Sequence, residues 1–183
     1  MEFHLDTSTL RDHISELHFG DRVYLSGVCH TSRDAAHMEI FRLLDEGGEL
    51  PYPIKDGVIY YAGPTPGQKG MAVGSCGPTT SGRMDGFAPR LLDLGLGAMI
   101  GKGERSQAVI DAIVRNKAVY FCAVGGAGAL IAKHIKTATE IAFPHLGCES
   151  VKRLEIENLP LIVAVDSCGG NIFNQRDKYK TEE

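Results

Sequence analysis

The chain has no long hydrophobic run, no closely paired cysteines and no surplus of positive charge, and each absence excludes a class of protein. The longest purely aliphatic stretch is Leu161 to Val165, far short of a membrane span. The N-terminus, MEFHLDTSTL, shows neither a basic nor an apolar leader region, so no signal peptide is expected. Lys plus Arg number 19 against 23 Asp plus Glu, a net charge of −4, which argues against a nucleic-acid partner. The five cysteines (Cys29, Cys76, Cys122, Cys148, Cys168) contain no C-x-x-C pair, so a zinc ribbon or thioredoxin-type site is unsupported. Reduced thiols in a cytoplasmic chain fit this pattern. Cys29 and Cys122 read as small buried hydrophobes. Cys76 and Cys168, beside glycines at strand ends, read as closer to a site.

What is present is an ordinary globular composition of 43% hydrophobic and 23% charged residues in 183 positions, enough for one domain. The 22 glycines are in excess and clustered, which marks tight turns or close approaches. Arg22–Cys29 reads as a strand, and Ser32 as the N-cap of a helix from Arg33 to Glu46 stopped by Gly47-Gly48. Strands are expected at 58–61, 71–76, 98–100 and 118–124, and a final pair at 151–157 and 161–165. Helices are expected at 84–94, 104–116 and from about 128 to 134. Residues 1–20 read as peripheral, with a short helix near Thr9–Leu17. Alternating strands and helices argue a single layered α/β domain with a mixed sheet.

Three motifs invite functional readings that their spacing denies. Gly126-Ala127-Gly128 follows a strand and opens a helix, but Ile131 stands at the third glycine position of a dinucleotide fingerprint. Close packing of a helix on its strand is the better reading. Gly101-Lys102 lacks both the earlier glycine and the following hydroxyl of a phosphate loop, since Leu96 and Gly103 stand there. His30, His37 and His145 form no ligand set at metal spacing.

Three cations remain, each in a turn after a strand, where α/β domains build sites. Arg33 opens a helix, Arg83 ends the turn Gly77-Pro78-Thr79-Thr80-Ser81-Gly82-Arg83, and Lys102 lies between glycines. Together, with the hydroxyls of Thr79, Thr80 and Ser81, they suggest a pocket for an anion with more than one carboxylate.

The segments His30–His37, Gly77–Asp85, Gly101–Gly103, Tyr120–Gly126 and Leu146–Glu149 carry a resemblance. In order and spacing from about Asp21 to Phe173, the chain resembles the β subunit of class I, iron–sulfur-dependent fumarate hydratases, a family that includes L(+)-tartrate dehydratase β subunits. The resemblance implies a swivelling β/β/α domain equivalent to the C-terminal domain of the single-chain enzymes. It implies reversible hydration of fumarate to malate, or the same chemistry on L-tartrate or another hydroxy diacid. It implies a 4Fe–4S cluster held by a partner α subunit and none bound by this chain. Carried over by motif, Arg33, Arg83 and Lys102 bind substrate carboxylates with Thr80 nearby, Thr79 is the candidate base, and Asp85 orients the Arg83 loop. A heteromer is expected, such as a dimer of heterodimers, with self-association of the lone chain. The alternative of another class is a dicarboxylate-sensing module without its own catalysis.

Overall fold

The computed structural model describes residues 1–179. Its strands are β1 (Glu2–Asp6), β2 (Arg22–Thr31), β3 (Val58–Tyr60), β4 (Thr65–Pro66), β5 (Val73–Ser75), β6 (Ala98–Gly101), β7 (Val119–Cys122), β8 (Ile135–Ala142) and β9 (Val151–Val165). Its helices are α1 (Leu10–His13), α2 (Asp34–Glu46), α3 (Ala88–Asp93), α4 (Gln107–Asn116) and α5 (Gly128–Ala132). Seven strands form one mixed sheet in the order β1-β2-β3-β6-β7-β9-β8, and β4 with β5 makes a small hairpin. The expected α/β class with a mixed sheet is what the chain adopts, as one layered domain. Among the described residues, no helix is long and apolar enough to cross a membrane.

The sheet closes on itself. β9 pairs antiparallel with β7 through Val165–Ile162 and with β2 through Ile162–Arg153. β2, β3, β6 and β7 are mutually parallel, so β2-β3-β6-β7-β9 forms a ring. β1 extends the edge of β2 that β3 leaves open, and β8 extends β9.

Period-two alternation divides the core. Val58, Tyr60, Ile100, Phe121, Leu154 and Val163 point to one cluster, inside the ring. Ile59, Tyr61, Met99, Tyr120 and Val165 point to another, against Ile40 of α2, Leu91 of α3 and Ile113 of α4. The opening segment contributes β1, and Leu10, Ile14 and Leu17 are buried with the first cluster.

Several boundaries differ from the sequence reading for physical reasons. The expected final pair of strands is the single strand β9. Asn158 takes a left-handed φ of 50° there, and the β2 register shifts between Leu25 and Gly27 to absorb it. In place of the helix expected at 84–94 stand a 3-10 turn, Ser81–Met84, and the short α3. α4 starts at Gln107 rather than 104. Gly47 stops α2 as expected, in the left-handed conformation with its N–H on the Leu43 and Leu44 carbonyls.

Gly27 has φ 105°, and a Cβ there would stand 2.3 Å from Thr7 Oγ1. Both facts oppose any side chain. Gly27→Ala is therefore expected to cost about 2–3 kcal/mol, lowering Tm by roughly 5–10 °C. A thermal melt within about 2 °C of the unaltered chain would contradict this reading of the bulge.

Candidate active site

The parallel strands β2, β3, β6 and β7 all end at one rim, and the segments leaving them carry the cations. Arg33 leaves β2 and is the N-cap residue of α2, with extended backbone and no side-chain capping bond. The cap comes from far away in sequence. Glu149 Oε2 accepts the Ala35 N–H at 3.1 Å, and its Oε1 stands 3.4 Å from Arg33 Nη2. Ser32, the expected N-cap, instead places its Oγ 2.9 Å from His37 Nδ1. That nitrogen is also 2.8 Å from the Arg33 carbonyl. A Cβ at Gly63 would lie 2.9 Å from Arg33 Nη1, so the glycine gives this side chain its room.

The segment 79–85 is fastened to the ends of β3 and β6. Thr79 N–H donates to the Tyr61 carbonyl at 2.7 Å, and Thr80 bridges to Lys102. Ser81 grips Lys102 twice. Its N–H donates to the Lys102 carbonyl at 2.9 Å, and its Oγ accepts the Lys102 N–H at 3.0 Å. The Tyr120 hydroxyl lies 2.9 Å from that Oγ and 2.9 Å from the Gly103 carbonyl. Read from sequence as a ligand hydroxyl, Ser81 is buried and committed to this clamp. A Cβ on Gly101 would fall 1.9 Å from Ser81 Oγ, which explains glycine before Lys102.

Arg83 projects from the 3-10 turn with its side chain 52% exposed, and its Nε donates to Asp34 Oδ1 at 2.9 Å. Gripped at Nε, it keeps the paired Nη edge for another carboxylate. Asp85, expected to orient the Arg83 loop, accepts from Arg105 Nε at 2.6 Å and from the Ser106 N–H at 2.6 Å. Arg105 was not among the sequence candidates. Its side chain has no exposure, and its guanidinium lies over the Tyr61 and Tyr120 rings at 5.3 and 4.9 Å. Nothing in the local pattern marks it, because arginine is almost never fully buried and its partners are distant.

The rim therefore joins Arg33 to Arg83 through Asp34, and Thr79, Thr80 and Lys102 through Ser81. It is an open shelf rather than a closed pocket. A cavity of about 420 Å³ is lined by Pro64, Val73, Ala138, Cys148 and Lys152, among others, and not by the three cations. Cys76, read as close to a site, is buried in the ring core, and loss of hydration pushes its thiol up to about 12. Cys168 lies in the turn after β9, at the opposite end of the ring. Gly128 closely meets Ser75 and Gly77 rather than a strand of its own unit. Among the described residues, no group of three His, Cys, Asp or Glu is arranged to hold a metal.

A mixed α/β domain with a cationic, hydroxyl-bearing rim is thus defined. A family model described as fumarase C-terminus matches residues 1–176, and the chain belongs to that family. Fumarate hydratase 2 of Leishmania major is 38% identical over 188 residues, covering 95% of this chain and 33% of its own length. The anaerobic class I fumarate hydratase of Escherichia coli (strain K12) is 41% identical over 165 residues, covering 88% and 30%. The putative L(+)-tartrate dehydratase subunit beta of Methanocaldococcus jannaschii is 35% identical over 189 residues, covering 100% of this chain and 96% of its own. The chain spans about a third of the fumarate hydratases it matches and nearly all of the tartrate dehydratase subunit.

Two outcomes follow from this geometry. Asp85→Ala strands a buried guanidinium and is expected to cost about 3–5 kcal/mol in urea unfolding; a loss below about 1 kcal/mol would contradict the burial. His37 is fully buried, and loss of hydration lowers it from 6.5 to about 4; burial and Arg153 lower His30 likewise to about 4. The unfolded chain then takes up these protons first. Stability is complete above about pH 6.5 and falls as pH drops toward 4. His37→Phe should flatten that slope, and an unchanged slope would refute a neutral buried His37.

Proposed function

We propose that the chain is the β-type subunit of a hydro-lyase, supplying the carboxylate-binding half of an active site for reversible hydration of fumarate to malate. The observation that carries this is the convergence of Arg33, Arg83, Lys102 and Thr79 on one rim of a fumarase C-terminus fold. The described residues do not fit a 4Fe–4S cluster, since they include no metal-holding group. In this reading the cluster belongs to an α subunit, and the pair forms a heteromer such as a dimer of heterodimers. The five free cysteines fit a reducing, cytoplasmic setting.

The chain's own chemistry is electrostatic. Removing a proton from carbon beside a carboxylate places a second negative charge on that carboxylate. Preorganised donors facing such charge are worth about 3–4 kcal/mol each. Arg83 offers its free Nη edge, Arg33 stands beside Asp34, and Lys102 is held through its main chain by Ser81. Thr79 is the candidate base, its backbone fixed by the Tyr61 carbonyl. A threonine hydroxyl is a weak base, so it needs the neighbouring cations to lower its pKa. Thr80 and Asp85 complete the assignment, the first beside Lys102 and the second holding the turn.

Identity to the fumarate hydratases favours fumarate. A second reading, L(+)-tartrate, is favoured by the match over 96% of a tartrate dehydratase subunit. Arg83→Ala, assayed with the iron–sulfur chain on both substrates, is expected to lower kcat/KM about 100- to 1,000-fold. Its Tm should stay within about 2 °C, because the pair it loses is half-exposed. Unchanged turnover would overturn the site assignment. Turnover of tartrate alone would replace the substrate and keep the mechanism.

A further inference from the structure

Among the described residues, Arg105 is the rim cation whose side chain solvent does not reach. It touches both elements that carry the proposed site. Asp85 on the 81–85 turn receives its Nε–H, and the adjacent Ser106 N–H goes to the other oxygen of the same carboxylate. Tyr120, whose ring lies against the guanidinium, places its hydroxyl on Ser81 Oγ, the atom that accepts the Lys102 N–H. Nη1 reaches Met99 Sδ at 3.4 Å, and the buried Tyr61 hydroxyl also faces the guanidinium. Stability alone does not account for this arrangement. A buried ion pair is commonly matched or bettered by apolar residues of similar volume. What apolar residues cannot supply is direction: a planar guanidinium fixes the angle between its carboxylate and the two rings it lies against.

We propose that Arg105 is a positioning residue, setting the placement of Arg83 relative to Lys102 through Asp85 on one side and Tyr120 and Ser81 on the other. The proposal rests on the functional reading above for what is positioned, but its geometry is testable without it. Arg105→Lys keeps the charge and removes the planar fork. Asp85→Leu/Arg105→Met removes both charges and serves as the second variant should the lysine variant fold poorly.

Two readouts decide. Amide exchange of the full chain reads the Ser81 and Lys102 N–H groups against a core amide such as Leu154. Steady-state kinetics with the iron–sulfur chain read kcat and KM for fumarate and L-tartrate. The expected result is exchange about 10-fold faster at Ser81 and Lys102 with Leu154 unchanged. Alongside it, kcat/KM falls about 10- to 100-fold in fully folded protein. Exchange rising equally at all three amides, or unchanged at Ser81 and Lys102 in a folded variant, overturns the proposal. So does unaltered kcat/KM. If the unaltered pair turns over neither substrate, the functional reading fails, and the exchange measurement alone decides for or against positioning.

Discussion

Everything at the rim depends on the hydrogen bonding of β9 along both of its edges. Because β9 meets β7 at its end and β2 along its middle, the sheet has to curl into a ring. Curling brings the carboxyl ends of four parallel strands to one circle and encloses an apolar cluster beneath them. The side chains that leave those ends have nowhere to go except outward over the rim. Arg33, Thr79 and Lys102 meet there although they are far apart in the chain.

Carboxylates then sort the rim's arginines by exposure. Asp34 holds Arg83 at a half-exposed position, where solvent screens the pair, and Glu149 holds Arg33 in a more enclosed one. Asp85 holds Arg105 where solvent is excluded and rearrangement would strand a charge. The rim's arginines are thus graded, from half-exposed Arg83 through Arg33 to fully enclosed Arg105. The same division explains the glycines: Gly63 admits Arg33, and Gly101 admits the Ser81 hydroxyl that locks Lys102 in place.

Much of this was legible in the sequence where the signal is local. β2, β6, β7 and α4 announce themselves by alternation or by helical spacing, and Gly47 marks the end of α2. The positions of Arg33, Arg83 and Lys102 after strands were also readable. What was hidden depends on distant partners. β8 escapes notice because Ile135–Ala142 mixes threonines and charges on a strand whose residues are mostly exposed. β9 reads as two strands because Asn158 and Pro160 resemble a turn, yet Asn158 sits in a bulge of β9 opposite Leu25–Gly27 of β2. The Ser32 cap was misassigned because Glu149 reaches the helix from 114 residues away. Arg105 could be placed only once Tyr61, Tyr120 and Asp85 were seen to surround it.

The ring leaves the sheet only two open margins among the described residues, β1 and β8. Strand margins are templates for uncontrolled growth, since unpaired amides recruit further chains. Both carry exposed polar residues: Glu2, His4 and Asp6 on β1, and Lys136, Thr137, Thr139 and Glu140 on β8, where Ile141 is also exposed. Exposed charges on a strand margin disfavour its pairing with another chain. The sheet's margins are thus polar in β1 and largely so in β8, while the rim carries half-exposed Arg83.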